Sequence, residues 1–348
     1  MLPRRPARKH GRRRTYQYRV KRIKKVSLQK GVVKWIVKYH NFFLISMTME
    51  KSAITIKNYE VIVNSIRVGI GGDEGYDFLL NFPAVENWIE TNNTKKTKKP
   101  LSRNSQKTYF VGVKSTLRDL KDSKFDEVMK LYDAKILGLA GEIVKQEEKQ
   151  ELTEAEKSKW ICWSCIVQTR DKIGEDYKKD GKWRTFQDYL IVCLYTMMPP
   201  ERLDYTPMKF VAEMPTDTEH NYCVLTDMKA TFILNNYKTF KSKGQALYDA
   251  PYELMPVLHA WRKINKSEWL LVKKTNKAEP LPSHELGQVI PRIFERENKI
   301  PATLNILRHS FITDMREGEM PLLEKKRLAN RMGHSLAQAE KYLRLNTQ

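Results

Sequence analysis

Apolar residues recur at intervals of three and four over most of the chain, which is the signature of helices burying one face. Ile56, Tyr59, Val63 and Ile66 set one such face, and Phe110, Val113, Leu117 and Leu120 set another behind a Ser105 cap, so residues from about 50 to 150 read as helical. A charged connection, Lys145 to Leu152, follows, and Thr153 with Glu156 has capping-box spacing. Helical pattern then runs to about Gly174, and after a turn at Gly181 from Thr185 to Met198, where Pro199 and Pro200 must stop it because proline lacks an amide donor. The period changes at Tyr222–Leu225 and Ala230–Lys238, which read as strands, with Thr239–Gly244 as a basic turn and Gln245–Pro251 as the returning strand. Helices around Met255–Lys266 and Leu286–Glu297 lead into the last stretch. There Pro321 starts a helix whose apolar face is Leu322, Leu323, Leu328 and Met332, and Gly333 ends it. Ser335 and Gln338 then open a helix turning Leu336, Ala339 and Leu343 inward, with Tyr342 about two turns in, on its flank. The expectation is a mainly α fold with a small β-sheet or hairpin.

The amino-terminal stretch departs from this pattern. No acidic residue precedes Glu50, whereas Arg4, Arg5, Arg8, Arg12, Arg13, Arg14 and their neighbours crowd the start. Such a run repels itself and condenses on phosphates; an organellar or nuclear address is the competing reading. Val32–Tyr39 alternates like a strand. Three regions are therefore expected: a basic arm over 1–48 with a possible small β-domain, a helical region over 49–150, and a region over 151–348.

A net charge of +22 implies a polyanionic partner, nucleic acid before an anionic membrane surface, since no basic amphipathic helix with a bulky apolar face stands out. No apolar run approaches the ~20 residues of a membrane span. Four cysteines, Cys162, Cys165, Cys193 and Cys223, do not make a secreted disulfide framework, and an intracellular setting is expected. Cys162 and Cys165 lack a second ligand pair and fall in Trp160–Val167, read as a buried helical face, so core packing is expected in place of metal binding.

The chemistry concentrates at the end of the chain. Thr303–Phe311 carries Arg308, and Arg331–Tyr342 carries His334 just past Gly333, then Tyr342. An arginine, a glycine-turned histidine and a lone tyrosine describe a phosphate site with a nucleophile beside it. These residues, with the Leu-Arg-His-Ser-Phe wording around Arg308, resemble the carboxy-terminal signature of the tyrosine recombinases, the phage-integrase family. Two features depart from it: Asn305 stands where the family's His-x-x-Arg motif has histidine, and the interval from His334 to Tyr342 is one residue short. Asn305 can hydrogen-bond a phosphate oxygen but cannot carry a proton at neutral pH. Wording such as Met198-Pro-Pro-Glu-Arg-Leu-Asp-Tyr resembles the recombinases of large DNA viruses and virophages.

The resemblance implies a helical, SAM-like core-binding domain over 49–150 and a catalytic domain over 151–348. It implies DNA cleaved and rejoined through a 3′-phosphotyrosyl link on Tyr342, with two arginines clamping the non-bridging oxygens. Arg202, behind the Pro199–Pro200 break and opening a helix, matches the first arginine. Its competing reading is a surface arginine paired with Asp204. Lys238 matches the hairpin lysine that protonates the leaving oxygen, with Lys241 and Lys243 as alternatives in the same turn. The cationic loop with Lys95, Lys96, Lys98, Lys99 and Arg103 is expected to contact the DNA backbone, as are Lys241 and Lys243. No metal or other cofactor is implied, and the implied partner is double-stranded DNA bound by a homo-tetramer. Acting on DNA in a host cytoplasm or nucleus follows for a viral protein. The rival reading takes Leu328–Tyr342 as a helix-turn-helix, making a DNA-binding regulator or an inactivated recombinase; a type IB topoisomerase would use much the same residues.

Overall fold

Ser52 opens the first helix, α1 (Ala53–Ile70), by accepting the Thr55 amide through its side chain. The computed structural model describes residues 51–93, 98–316 and 320–345. The arm expected over 1–48, its strand at Val32–Tyr39, and Lys95 and Lys96 lie outside the described residues. The chain divides into two compact units that meet between Gly141 and Glu142.

In the first unit α1 is followed by α2 (Phe82–Thr91), α3 (Arg103–Leu120) and α4 (Asp126–Glu148), the last continuing through the unit boundary. The inner faces meet through Ile62, Val63, Ile66, Val85, Ile89, Phe110, Val113, Leu117 and Tyr132. Tyr132 is fully buried, donates its hydroxyl to Leu79 O at 2.9 Å, and lies edge-on to Phe82. Two expected face residues, Ile56 and Leu120, are exposed, because the buried stripe of each helix is narrower than its apolar pattern. The α3 cap is Ser102, one turn before the expected Ser105, whose amide it accepts. Lys145 to Glu148, expected as connection, completes α4.

The second unit is built round α7 (Trp183–Thr196), whose Phe186, Leu190, Ile191, Leu194 and Tyr195 are buried and so leave it little solvent face. Before it come the short α5 (Glu154–Lys157), opened by a complete Thr153/Glu156 capping box, and α6 (Trp163–Asp180), which ends on a left-handed Gly181. After it four strands form one mixed sheet in the order β1 (Met208–Val211), β2 (Asn221–Leu225), β3 (Ala230–Leu234) and β4 (Ala246–Asp249). Strand β1 runs parallel to β2, and the other pairings are antiparallel. Between β3 and β4 the expected basic turn folds as a one-turn helix, α8 (Phe240–Lys243). Then come α9 (Met255–Ile264), α10 (Ser283–Asn298), α11 (Leu304–Arg316), α12 (Leu322–Arg331) and α13 (Leu336–Glu340). The expected class, mainly helical with one small sheet, is what the chain adopts.

The cysteine pair differs from expectation. Cys162 is exposed at the N-cap of α6, Cys165 is half-buried, and the two are joined as a disulfide. A Cys-x-x-Cys pair opening a helix holds its sulfurs one turn apart at the helix end, not along a buried face. Among the described residues no group of three or more His, Cys, Asp or Glu is placed to hold a metal ion, and no helix is long and apolar enough to cross a membrane.

Trp261 on α9 anchors the second core: it is fully buried, stacks on Phe186 and donates Nε1–H to Leu270 O at 2.7 Å. Trp261→Ala removes this packing and leaves that carbonyl unpaired, so a loss of about 3–5 kcal/mol is expected. Urea unfolding of the whole chain measures it, and a loss under ~1 kcal/mol would contradict the packing described.

Candidate active site

The turn after α12 determines where His334 points. Gly333 is left-handed, with φ 70°, its N–H bonds Asn330 O at 3.0 Å, and the His334 N–H bonds Ala329 O at 2.8 Å. This Schellman arrangement reverses the chain and frees Met332 O from the helix ladder. Arg308, 2% exposed on α11, uses that carbonyl: Nη2 donates to Met332 O at 3.0 Å and Nη1 to Pro200 O at 2.6 Å, while Nη2 also meets His334 Nε2. The arginine thus ties together the break after α7 and the end of α12, segments distant in sequence.

A guanidinium has only donors, so His334 Nε2 must accept and Nδ1 must carry the imidazole proton. Burial first, then Arg308, Arg202 and Lys243, lower the His334 pKa to about 3, so the ring is neutral near pH 7. Its Nδ1 is buried without a hydrogen-bond partner among the described residues, as is Arg308 Nε. Two buried donors in adjacent side chains, both without an acceptor, are uncommon in a folded interior and suit an anion.

Tyr342 completes the cluster. Its ring stacks on His334 with centroids 4.7 Å apart and planes 23° from parallel, and the Arg308 guanidinium carbon is 5.3 Å from its centroid. It follows α13 in a turn, not two turns into a helix, and is half-buried. Leu322 and Leu323, expected on the inner face of α12, are each 60% exposed; Met332, expected with them, is buried, as is Ala329.

Arg202 reaches the same place from a loop, where a helix opening was expected. A Cβ on Gly333 would lie 3.0 Å from Arg202 Nη1, so the glycine permits both the left-handed turn and this approach. Tyr195 Oη donates to Arg202 O at 2.8 Å, and Arg202 acts on the Asp204 carboxyl through its charge, with no salt bridge between the two among the described residues. Buried Asn221 fixes the loop from below: Nδ2 donates to Asp204 O and Asn236 O, and Oδ1 accepts the Asn235 and Asn236 amides. It thereby joins the Arg202 loop to the exit of β3. An open cleft of about 350 Å³ lies beside Arg202 and Asp204.

Of the hairpin lysines, Lys243 is at the cluster, its Nζ donating to His334 O at 3.3 Å. Lys238 and Lys241 are exposed and make no side-chain hydrogen bond or ion pair among the described residues. Asn305 is exposed on the first turn of α11, one turn before Arg308, also without a side-chain contact. Lys98 and Lys99 are exposed before α3, and Arg103 is its first residue. They belong to the first unit.

No protein-family model matches the chain, and no curated protein matches it. Among solved structures the chain is similar to the crystal structure of XerA recombinase, with a TM-score of 0.38 and 14% identity, covering 90% of this chain and 94% of that one.

Residues to which the sequence reading gave no role also line the cluster. Glu201 is 3% exposed, and its Oε1 is 3.7 Å from Arg331 Nε. Burial pushes its carboxyl up to about 8 despite Arg331, Arg308 and Arg202, with Asp204 adding in the same direction. At neutral pH it is mostly protonated and leaves the arginines' charge uncompensated. Arg331 lies over the Tyr248 ring at 3.5 Å. His309, next to Arg308, also packs on Tyr342, with ring centroids 4.6 Å apart and planes tilted by 40°. Adjacency to the two arginines was the available sequence signal for Glu201 and His309; Arg331 had none.

Proposed function

We propose that the chain is a DNA strand transferase of the tyrosine-recombinase type, which cleaves and rejoins duplex DNA through a 3′-phosphotyrosyl bond on Tyr342. The observation that carries this reading is the pair of buried donors without acceptors, Arg308 Nε and His334 Nδ1, set beside the Tyr342 ring. In it Arg308, Arg202 and His334 bind the non-bridging oxygens, where negative charge accumulates during in-line attack. Tyr342 Oη forms a bond to phosphorus as the bond to the 5′-oxygen breaks, the phenolic proton passing to water and the leaving oxygen taking a proton. Lys243 is the better-placed hairpin lysine for that last step, because it already lies against His334, with Lys238 and Lys241 further out. Asn305 serves at most as a hydrogen-bond donor to phosphate. The loop lysines, the basic arm and four chains assembled on DNA complete the proposal. The helix-turn-helix reading is less favoured because α13 is five residues long, too short to serve as a recognition helix in a groove.

The test is covalent trapping. The protein, in chelator, is incubated with nicked duplexes tiled from DNA flanking its own gene, denatured, and assayed for protein retained on the strand. An adduct at a 3′ end supports the reading, and tight binding with no adduct on any duplex refutes it.

The Glu201 carboxyl adds a pH dependence. Its raised pKa means that it ionises as pH rises through about 8, placing a negative charge beside Arg202 and Arg308. Duplex affinity at fixed salt is expected to weaken about fivefold more between pH 7 and 9 in the wild type than in Glu201→Gln, from roughly 1 kcal/mol for one partly screened charge. Parallel pH profiles for the two proteins would remove Glu201 from the account.

A further inference from the structure

The segment carrying Tyr342 is bound back onto its own chain by contacts that the cleavage chemistry does not require. Arg344 pairs with Glu156 through Nη2–Oε1 at 2.7 Å and Nε–Oε2 at 3.4 Å. Glu156 Oε2 also accepts the Thr153 amide at 2.9 Å, so the capping box of α5 holds the carboxylate in place. Arg344 Nη2 further meets His309 Nε2 at 3.3 Å, and His309 Nδ1 donates to Tyr342 O at 2.7 Å. A carbonyl only accepts, so the proton is on Nδ1 and Nε2 is free to accept from Arg344. A neutral imidazole thus relays the Arg344–Glu156 pair to the backbone of the tyrosine. Around this core, Lys341 pairs with Glu147, Arg316 with Glu340, and Gln150 exchanges hydrogen bonds with Glu340 O and the Leu345 amide.

His309 is 5% exposed, and its ring and that of His334 both pack on the phenol, with centroids 4.6 and 4.7 Å away. Displacing the tail by about an ångström loosens the phenol from both rings. Misplacement of that order costs about a hundredfold in rate where attack geometry matters.

We propose that Glu156, Arg344 and His309 are positioning residues that form a clasp, seating Tyr342 in the site of its own chain so that each chain cleaves with its own tyrosine. This rests on the strand-transferase reading, and the experiment separates the two. Arg202→Ala and Tyr342→Phe chains are mixed on a nicked duplex that the wild type cleaves. With the clasp intact no adduct is expected beyond those of the separate variants. When Arg344→Ala is added to the Arg202→Ala chain, its tyrosine is released and adduct is expected to appear in the mixture. Arg344→Ala alone is expected to cleave about tenfold to a hundredfold more slowly, with duplex affinity unchanged and Arg344→Lys partly restored. Adduct in the first mixture, or wild-type cleavage by Arg344→Ala, overturns the clasp. If the wild type itself forms no adduct, the strand-transferase reading fails and hydrogen exchange decides the clasp alone. Tail amides at Arg344 and Leu345 exchanging at least about tenfold faster in both Glu156→Gln and Arg344→Ala support it, and unchanged protection overturns it.

Discussion

Tyr342→Phe is expected to abolish covalent attachment to DNA, by about a thousandfold or more, while leaving duplex affinity within about twofold of the wild type. The two effects separate because the substitution removes one oxygen and, with it, only the hydroxyl's interaction with Arg308. The ring is held by stacking on His334, by the tilted His309 ring and by the nearby Arg308 guanidinium, and phenylalanine retains those contacts. The backbone of residue 342 is held by His309 through its carbonyl and by Ala339 through its amide, neither of which depends on the hydroxyl. In the proposed reading Arg202, Arg308 and His334 make the phosphate contacts, so the bound state is expected to lose no cation. A denaturing gel reports the adduct and a native titration the affinity. An adduct persisting in Tyr342→Phe would mean that another side chain attacks, and Tyr342 would then be a packing residue against two histidines.

How far the sequence revealed this arrangement depends on whether each feature is set locally. Gly333 was readable because glycine enters the left-handed conformation at the least cost after a helix, and the turn that it makes brings His334 back toward Arg308. The end of α13 was not readable. The chain leaves the helix after Glu340 because Arg344 takes the Lys341 carbonyl and His309 takes that of Tyr342, contacts from outside the local pattern. The exposure of Leu322 and Leu323 was hidden for a related reason: periodicity shows that a helix has an apolar stripe, but not which part of it another element covers. Strand β1 is four residues long and exists through its parallel pairing with β2, a non-local contact without a sequence period of its own. The hairpin lysine follows the same rule. Asn221 takes the amides of Asn235 and Asn236, so β3 stops at Leu234, the expected strand through Lys238 is not made, and the chain reaches the cluster again at Lys243.

Arg308→Lys is the second substitution with a large expected effect, because it keeps the charge and removes the shape. The guanidinium serves four places at once: Pro200 O, Met332 O, His334 Nε2, and the side on which Nε has no partner. An ammonium on a flexible stem has three donors radiating from one nitrogen and cannot span carbonyls from two distant segments while facing a phosphate. At least one carbonyl is then left buried and unpaired, which costs about 1–3 kcal/mol of stability. His334 also loses the donor that fixes its tautomer, so Nδ1 no longer has to carry the proton, and the second phosphate donor is weakened with the first. Loss of one such contact costs about a hundredfold to a thousandfold in the chemical step, roughly 2.7–4 kcal/mol, and the coupled loss at His334 places Arg308→Lys toward the upper end. Single-turnover cleavage measures the rate, and affinity for an uncleavable duplex, expected to fall less than tenfold, shows that the loss arises in the transition state. If Arg308→Lys cleaves within threefold of the wild type, charge alone suffices at this position and the planar fork has no part in the chemistry. If rate and affinity fall together by the same factor, Arg308 binds the ground state and transition state alike, and the transition-state role passes to Arg202.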